Sequence, residues 1–232
     1  MSRQAAQRIL SALAGKADLL LCAAGGSTPT RTYQLLAESL AQNPGAFHSL
    51  RVLKLDEWGG IEMDDPGSCE TNLRTHLVGP LGVQDHRYVG FSSNPAKPDL
   101  ECQRMRRLVA AEGPIDLCVL GLGVNGHLAL NEPAASLLPT AHVARLSPVS
   151  LRHPMLANSP KLPAYGLTLG MAEILVSRDI LLLVSGVNKR EPLKRLLRRE
   201  ITTEFPASFL WLHPNWTLLC DQNAAEGLDL KP

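Results

Sequence analysis

The sequence has almost no net charge to offer a partner: 23 Lys and Arg stand against 22 Asp and Glu, leaving a formal charge of +1. That balance argues against a broad nucleic-acid surface or a strongly anionic partner, so any anion site has to be local. Cysteine is sparse and unpaired. The five thiols, Cys22, Cys69, Cys102, Cys118 and Cys220, are odd in number, scattered and never spaced as CxxC. Neither a disulfide framework nor a zinc ribbon fits this pattern, and a reducing cytoplasm is the expected setting. No apolar run approaches the roughly 20 residues of a membrane span, and the N-terminus lacks the basic flank, apolar stretch and small-residue cleavage site of a signal peptide. Internal repeats, low-complexity stretches and a Pro/Gly-rich linker are missing too, since proline and glycine are spread through the connections. With 45% hydrophobic residues the chain can bury a sizeable core, and residues 1–232 read as a single domain.

What the chain does have is a series of short, almost uniformly apolar runs at 18–24, 51–55, 115–120, 180–185 and 217–220. Runs of this length read as strands buried on both faces. Stretches with helical spacing at 30–40, 99–112 and 189–199 lie between several of them. This alternation predicts an α/β fold with a mostly parallel sheet flanked by helices. Glycine-bearing turns follow three of the apolar runs: Gly25-Gly26-Ser27-Thr28-Pro29, Gly121-Leu122-Gly123-Val124-Asn125-Gly126 and Gly186-Val187-Asn188. In an open α/β sheet such turns line the ligand crevice at the C-terminal ends of the strands. The segment 148–163, with four prolines and few helical signals, reads as a loop or lid.

Four motifs carry possible chemistry. Gly25, Gly26, Ser27 and Thr28 precede a proline suited to the first turn of a helix, and backbone N–H groups there can approach a phosphate. A structural turn with a hydroxyl cap fits the same residues. Asp56 and Glu57 close an apolar strand, where side chains alternate, so one carboxylate at most can face a crevice as a base. A solvated turn is the plain alternative. Asn125, His127 and Glu132 bring an amide, an imidazole and a carboxylate within eight residues. A histidine oriented by a carboxylate suits proton transfer near neutral pH, with a structural histidine as the plain alternative, and no HExxH or paired-cysteine set makes it a zinc site. Lys189 opens a helical stretch, where its charge opposes the helix dipole, a placement that makes better sense if its ammonium reaches an anion in the crevice; a flexible surface lysine is the plain alternative. Lys194, Arg195, Arg198 and Arg199, at the far end, need only a structural reading.

Taken together, Gly25–Pro29 (GGSTP), Leu55–Trp58 (LDEW), 66–73 (PGSCETNL), 115–133 (IDLCVLGLGVNGHLALNEP), 166–170 (GLTLG), 180–186 (ILLLVSG) and 206–213 (PASFLWLH) resemble the glucosamine-6-phosphate deaminase and 6-phosphogluconolactonase superfamily, and within it the galactosamine-6-phosphate branch. The resemblance covers nearly the whole chain. It implies a modified Rossmann-like fold, no metal and no organic cofactor, and a small sugar phosphate as the partner rather than nucleic acid or membrane; it leaves the oligomeric state open. It further implies isomerisation and deamination of galactosamine 6-phosphate to tagatose 6-phosphate and ammonia, with the glucosamine epimer, a lactonase and a noncatalytic sugar-phosphate sensor as alternatives. By position, Asp56 matches the base that moves a proton between C2 and C1, His127 the residue assisting ring opening, and Glu132 its paired carboxylate. The Gly25–Thr28 loop and Lys189 match phosphate-binding positions.

Two departures from the glucosamine-type pattern stand out. Asn125 occupies a position where that pattern has aspartate. His153 falls where a phosphate-binding arginine is usual, with Arg152 beside it, and either residue can take that role.

Overall fold

The computed structural model describes residues 1–228. In chain order its helices and strands are α1 (Ser2–Gly15), β1 (Leu20–Ala23), α2 (Ser27–Ser39), β2 (Arg51–Lys54), β3 (Asp56–Gly59), α3 (Cys69–Leu73), β4 (Tyr88–Val89), α4 (Pro98–Glu112), β5 (Leu117–Gly121), β6 (His142–Ala144), β7 (Tyr165–Thr168), α5 (Met171–Leu175), β8 (Asp179–Val184), α6 (Arg190–Leu197), β9 (Trp216–Cys220) and α7 (Gln222–Ala225). Among the described residues, six strands form the main sheet in the order β4-β2-β1-β5-β8-β9, and every recorded pairing within it is parallel.

The all-apolar runs follow from burial on both faces. Along β1, Leu20 and Cys22 enter one core while Leu21 and Ala23 enter the other. The same alternation sends Cys118 and Leu120 of β5 one way and Leu117 and Val119 the other. In β8, Ile180, Leu182 and Val184 part from Leu181 and Leu183 likewise. A strand with both faces covered has no polar side, which is why periodicity is invisible in these segments. On one face lie α1, α2 and α3. Ala5, Ile9 and Leu13 recur every fourth residue along α1, forming the buried stripe of an amphipathic helix. The other face is covered by α4 to α6, through Cys102, Met105, Ile174, Leu193 and Leu196.

The order of connections creates the site. From β1 the chain steps outward to β2 and β4, then returns to β5 on the other side of β1 and continues to β8 and β9. The turns after β1 and β5 therefore diverge at one point, the topological switch at which open α/β sheets bind ligands.

The sequence pattern did not disclose a second, three-stranded sheet, β3-β7-β6, whose pairings are antiparallel. Leu55 joins the two sheets, donating its N–H to Ala23 O and accepting from Leu169 N, both at 3.1 Å. Residues 148–163 are less irregular than their prolines imply. They contain 3-10 turns at Ser150–Arg152 and Pro154–Asn158, and Met155 and Leu156 join a small core with Trp58, Cys69 and Leu130.

Candidate active site

The turns after β1, β5 and β8 meet Asp56 of β3 and the segment 149–155 around one cavity of about 440 Å³. That volume suits a small organic ligand, for which pockets of roughly 300 to 1,000 Å³ are usual. Gly25, Gly26, Ser27, Thr28, Asp56, His127, Arg152, His153 and Lys189 all line it. Asn125 and Glu132 do not; they stand behind His127 and act on it rather than on the cavity.

The first wall is the start of α2. Gly26 caps the helix at φ +100, a backbone conformation strained for any residue with a side chain. Its N–H donates to Asn72 Oδ1 at 3.1 Å, and its carbonyl accepts from Thr30 Oγ1 at 2.8 Å. Held this way, the loop presents the first-turn N–H groups and the positive end of a 13-residue helix to the cavity. Opposite it, Lys189 ends a 3-10 turn just before α6 and donates from Nζ to Leu122 O at 2.7 Å. Burial pushes its pKa down, a cost that a bound anion would reverse.

His153 shares this end. Its Nδ1 accepts from Met155 N, and its ring centroid lies 5.8 Å from that of Trp58. Burial, then the charges of His127 and Lys189, push its pKa down to about 4, so it is neutral at pH 7. Arg152 is exposed and hydrogen-bonds the carbonyl of Pro148 through Nε.

The adjacent acids of LDEW are divided by strand alternation. Asp56 faces the cavity; Glu57 faces the interior, where its carboxylate accepts from the backbone N–H of Trp58, Cys69 and Glu70 at 2.8, 2.8 and 2.9 Å. Glu57 thus anchors the first turn of α3. Lys54, wholly buried, donates to Glu57 and Glu70, both at 2.7 Å, and these two carboxylates outweigh the burial that works against its charge. Asp56 is raised to about 7 by burial and by the charge of Glu57, against the opposing effects of the Cys69 thiol and Lys54. The carboxylate is partly open to the cavity, so entering water offsets some of that burial.

At the far wall, the loop after β5 turns tightly enough to set His127 against Gly123, where any side chain would collide with the imidazole. Asn125 accepts from His127 N through Oδ1 and donates from Nδ2 to Glu132 Oε2 at 2.8 Å. Glu132 Oε1 accepts from Ser147 N and from the Ser150 hydroxyl. Burial alone would raise Glu132, but the adjacent His127 imidazole and the hydrogen bonds of Ser150 and Asn125 prevail and hold it down at about 2.

Sequence reasoning missed Ser150, Cys69, Asn72 and Lys54. Ser150 lay inside a stretch read as a loop. Cys69 and Asn72 sat in PGSCETNL, which carried resemblance but no assigned chemistry. Lys54 had one local signal, a lone cation within an apolar strand. Two of the cations of the α6 segment have a structural role: the Arg195 and Arg199 guanidinium groups lie 4.6 and 4.5 Å over the rings of Phe205 and Trp211. No helix among the described residues is long and apolar enough to cross a membrane.

A family model described as glucosamine-6-phosphate isomerases/6-phosphogluconolactonase matches residues 1–218. A protein of Escherichia coli K12 named "Putative deaminase AgaI" is 41% identical over 94% of this chain and 87% of its own length. The glucosamine-6-phosphate deaminase of Geobacillus sp. WCH70 is 37% identical over 97% of this chain and 90% of its own. Among solved structures, a monomeric glucosamine-6-phosphate deaminase superposes with a TM-score of 0.92 at 33% identity, covering 97% of this chain and 94% of that one. The 6-phosphogluconolactonase of Trypanosoma brucei, at 20% identity and a TM-score of 0.77 over 98% and 94% of the two chains, shares the fold.

Proposed function

The chain belongs to the family of glucosamine-6-phosphate isomerases and 6-phosphogluconolactonases and is an amino-sugar-phosphate isomerase/deaminase; from that premise we propose that its substrate is galactosamine 6-phosphate, converted with water to tagatose 6-phosphate and ammonia. The observation that carries the choice of epimer is the location of Asn125 and His153. These residues are where the chain departs from the glucosamine-type pattern that it resembles, and both belong to this site: His153 lines the cavity and Asn125 holds the carboxylate behind His127.

In this reading the phosphate sits between the N-terminal turn of α2 and Lys189, with Arg152 and His153 beside it. A dianion there would favour protonation of His153, against the burial that lowers its pKa. His127, oriented by Glu132 and Asn125, delivers a proton to the ring oxygen as the pyranose opens. Asp56 then removes the C2 proton and returns it to C1. A base that must also give its proton back works best with a pKa near the working pH, and the value of about 7 for Asp56 fits that double task. The C2 iminium that results adds water and expels ammonia, leaving the ketose phosphate.

Glucosamine 6-phosphate is the second reading, favoured by the names of the Geobacillus relative and of the 33%-identical structure. The two sugars differ at C4 and present identical atoms at C1 and C2. Leaving one buried polar group unpaired costs about 1 to 3 kcal/mol, or roughly 5- to 150-fold in kcat/KM. Ammonia release measured side by side with the two 6-phosphates tests the proposal. A higher kcat/KM for galactosamine 6-phosphate is expected; equal or reversed specificity transfers the assignment to the glucosamine enzyme.

A further inference from the structure

The short helix α3 connects the two ends of the cavity, although no step above uses it. It begins at Cys69, whose N–H is held by Glu57 and whose Sγ lies 3.8 Å from Asp56 Oδ1. Three residues on, Asn72 accepts the N–H of Gly26 in the phosphate-side loop. The same sulfur packs on that loop, 3.4 Å from where a side chain at Gly25 would begin. Ser68 fixes the start of the helix by accepting from Thr71 N at 2.9 Å. One rigid turn, pinned by Glu57, therefore places a thiol against the Asp56 carboxylate and an amide against the phosphate loop.

We propose that Cys69 is a positioning residue for the proton transfer: its thiol donates to Asp56 Oδ1 and so leaves the other carboxylate oxygen to take the C2 proton. The proposal rests on the reading of Asp56 as the base. Cys69 is the one side-chain donor to Asp56 among the described residues. It is suited to donate rather than attack, because burial, followed by the charges of Glu57 and Asp56, pushes its own pKa well above the ordinary thiol range. The titratable groups facing Asp56 are Glu57 and Lys54 from its own segment, Cys22 from β1, Tyr33 from α2 and Cys69 from α3, and of these only the Cys69 thiol makes a hydrogen bond to it.

The test compares Cys69→Ala, Cys69→Val and Cys69→Ser with Asp56→Asn by steady-state ammonia release across pH. Removing the donor in the Ala and Val variants should lower kcat about 3- to 30-fold, the range for losing a weak to moderate hydrogen bond to a charged group, with KM changed less than about twofold. Because the thiol favours the ionised carboxylate, its loss should move the acid limb of the profile to higher pH. Cys69→Ser retains a donor and should restore both kcat and the acid limb to near the parent values. Val fills the volume that Ala empties, so agreement between them separates loss of the donor from a cavity. If Asp56→Asn is inactive while Ala and Val keep the parent kcat and pH profile, or if Ser behaves like Val, the Cys69 proposal falls. If Asp56→Asn retains ammonia release, the reading of Asp56 itself falls.

Discussion

His127 Nδ1 stands 3.6 Å from Glu132 Oε2, while that same oxygen accepts a shorter bond of 2.8 Å from Asn125. The carboxylate is therefore fixed by its neighbours before it meets the imidazole. Glu132→Gln should leave the phosphate end untouched and lower kcat with little change in KM, because an amide cannot complement a charged imidazolium and turns a donor toward Asn125 or Ser147. A loss of about 10- to 100-fold is expected, the lower part of the general acid/base range. Unfolding gives a second readout. A folded pKa of about 2 against an ordinary 4.5 means that Glu132 stabilises the fold above pH 4.5 and that this contribution vanishes as pH falls through 2. The Tm deficit of the variant should be full at pH 7 and smaller at pH 3; a deficit independent of pH would contradict the hydrogen-bonded, ionised carboxylate.

Asp56 behaves in the opposite sense. Its folded pKa lies above the unfolded one, so holding it ionised costs stability, and the cost grows as pH rises from about 4 to about 7. Asp56→Asn should lose about 100- to 10,000-fold in ammonia release and yet unfold at a higher temperature than the parent at pH 8, with the advantage disappearing below about pH 4. A variant both inactive and destabilised at pH 8 would assign Asp56 a structural role.

Lys189 has one N–H committed to Leu122 O and others facing the cavity. Lys189→Ala should weaken binding of the phosphorylated substrate by about 1.5 to 3 kcal/mol, or roughly 10- to 150-fold in KM. Nonphosphorylated galactosamine is the control. Equal losses with both sugars would show that the ammonium does not read the phosphate.

Gly123→Ala probes the seat of His127. The new methyl group would occupy the position of the imidazole, so the ring must move while Lys189 and the α2 loop stay in place. The expected signature is a fall in kcat with KM for the sugar phosphate nearly unchanged and far-UV circular dichroism intact. Unaltered kcat would place His127 outside the reaction.

The sequence alone determined the buried strands, the helices between most of them and the glycine turns at their C-terminal ends. Apolar runs with no polar alternation require cover on both faces, and that requirement is local to each segment. His127, Asp56 and Lys189 were legible because each lies within six residues of the end of such a strand. Helix α1 carries its own signal, in the spacing of Ala5, Ile9 and Leu13, weaker than that of the apolar strands. Tertiary structure alone decided the second sheet. Its members β3, β6 and β7 are four, three and four residues long, too short for periodicity to specify either a strand or its partner. Pairing across that sheet sets Asp56 opposite Thr168 and turns its carboxylate to the cavity while Glu57 is sent inward to Lys54 and α3. Cys69, Asn72 and Ser150 acquired their roles the same way. Each reaches its partner across 13, 46 and 18 residues of chain respectively, and a contact of that span exists only once the intervening segments have packed.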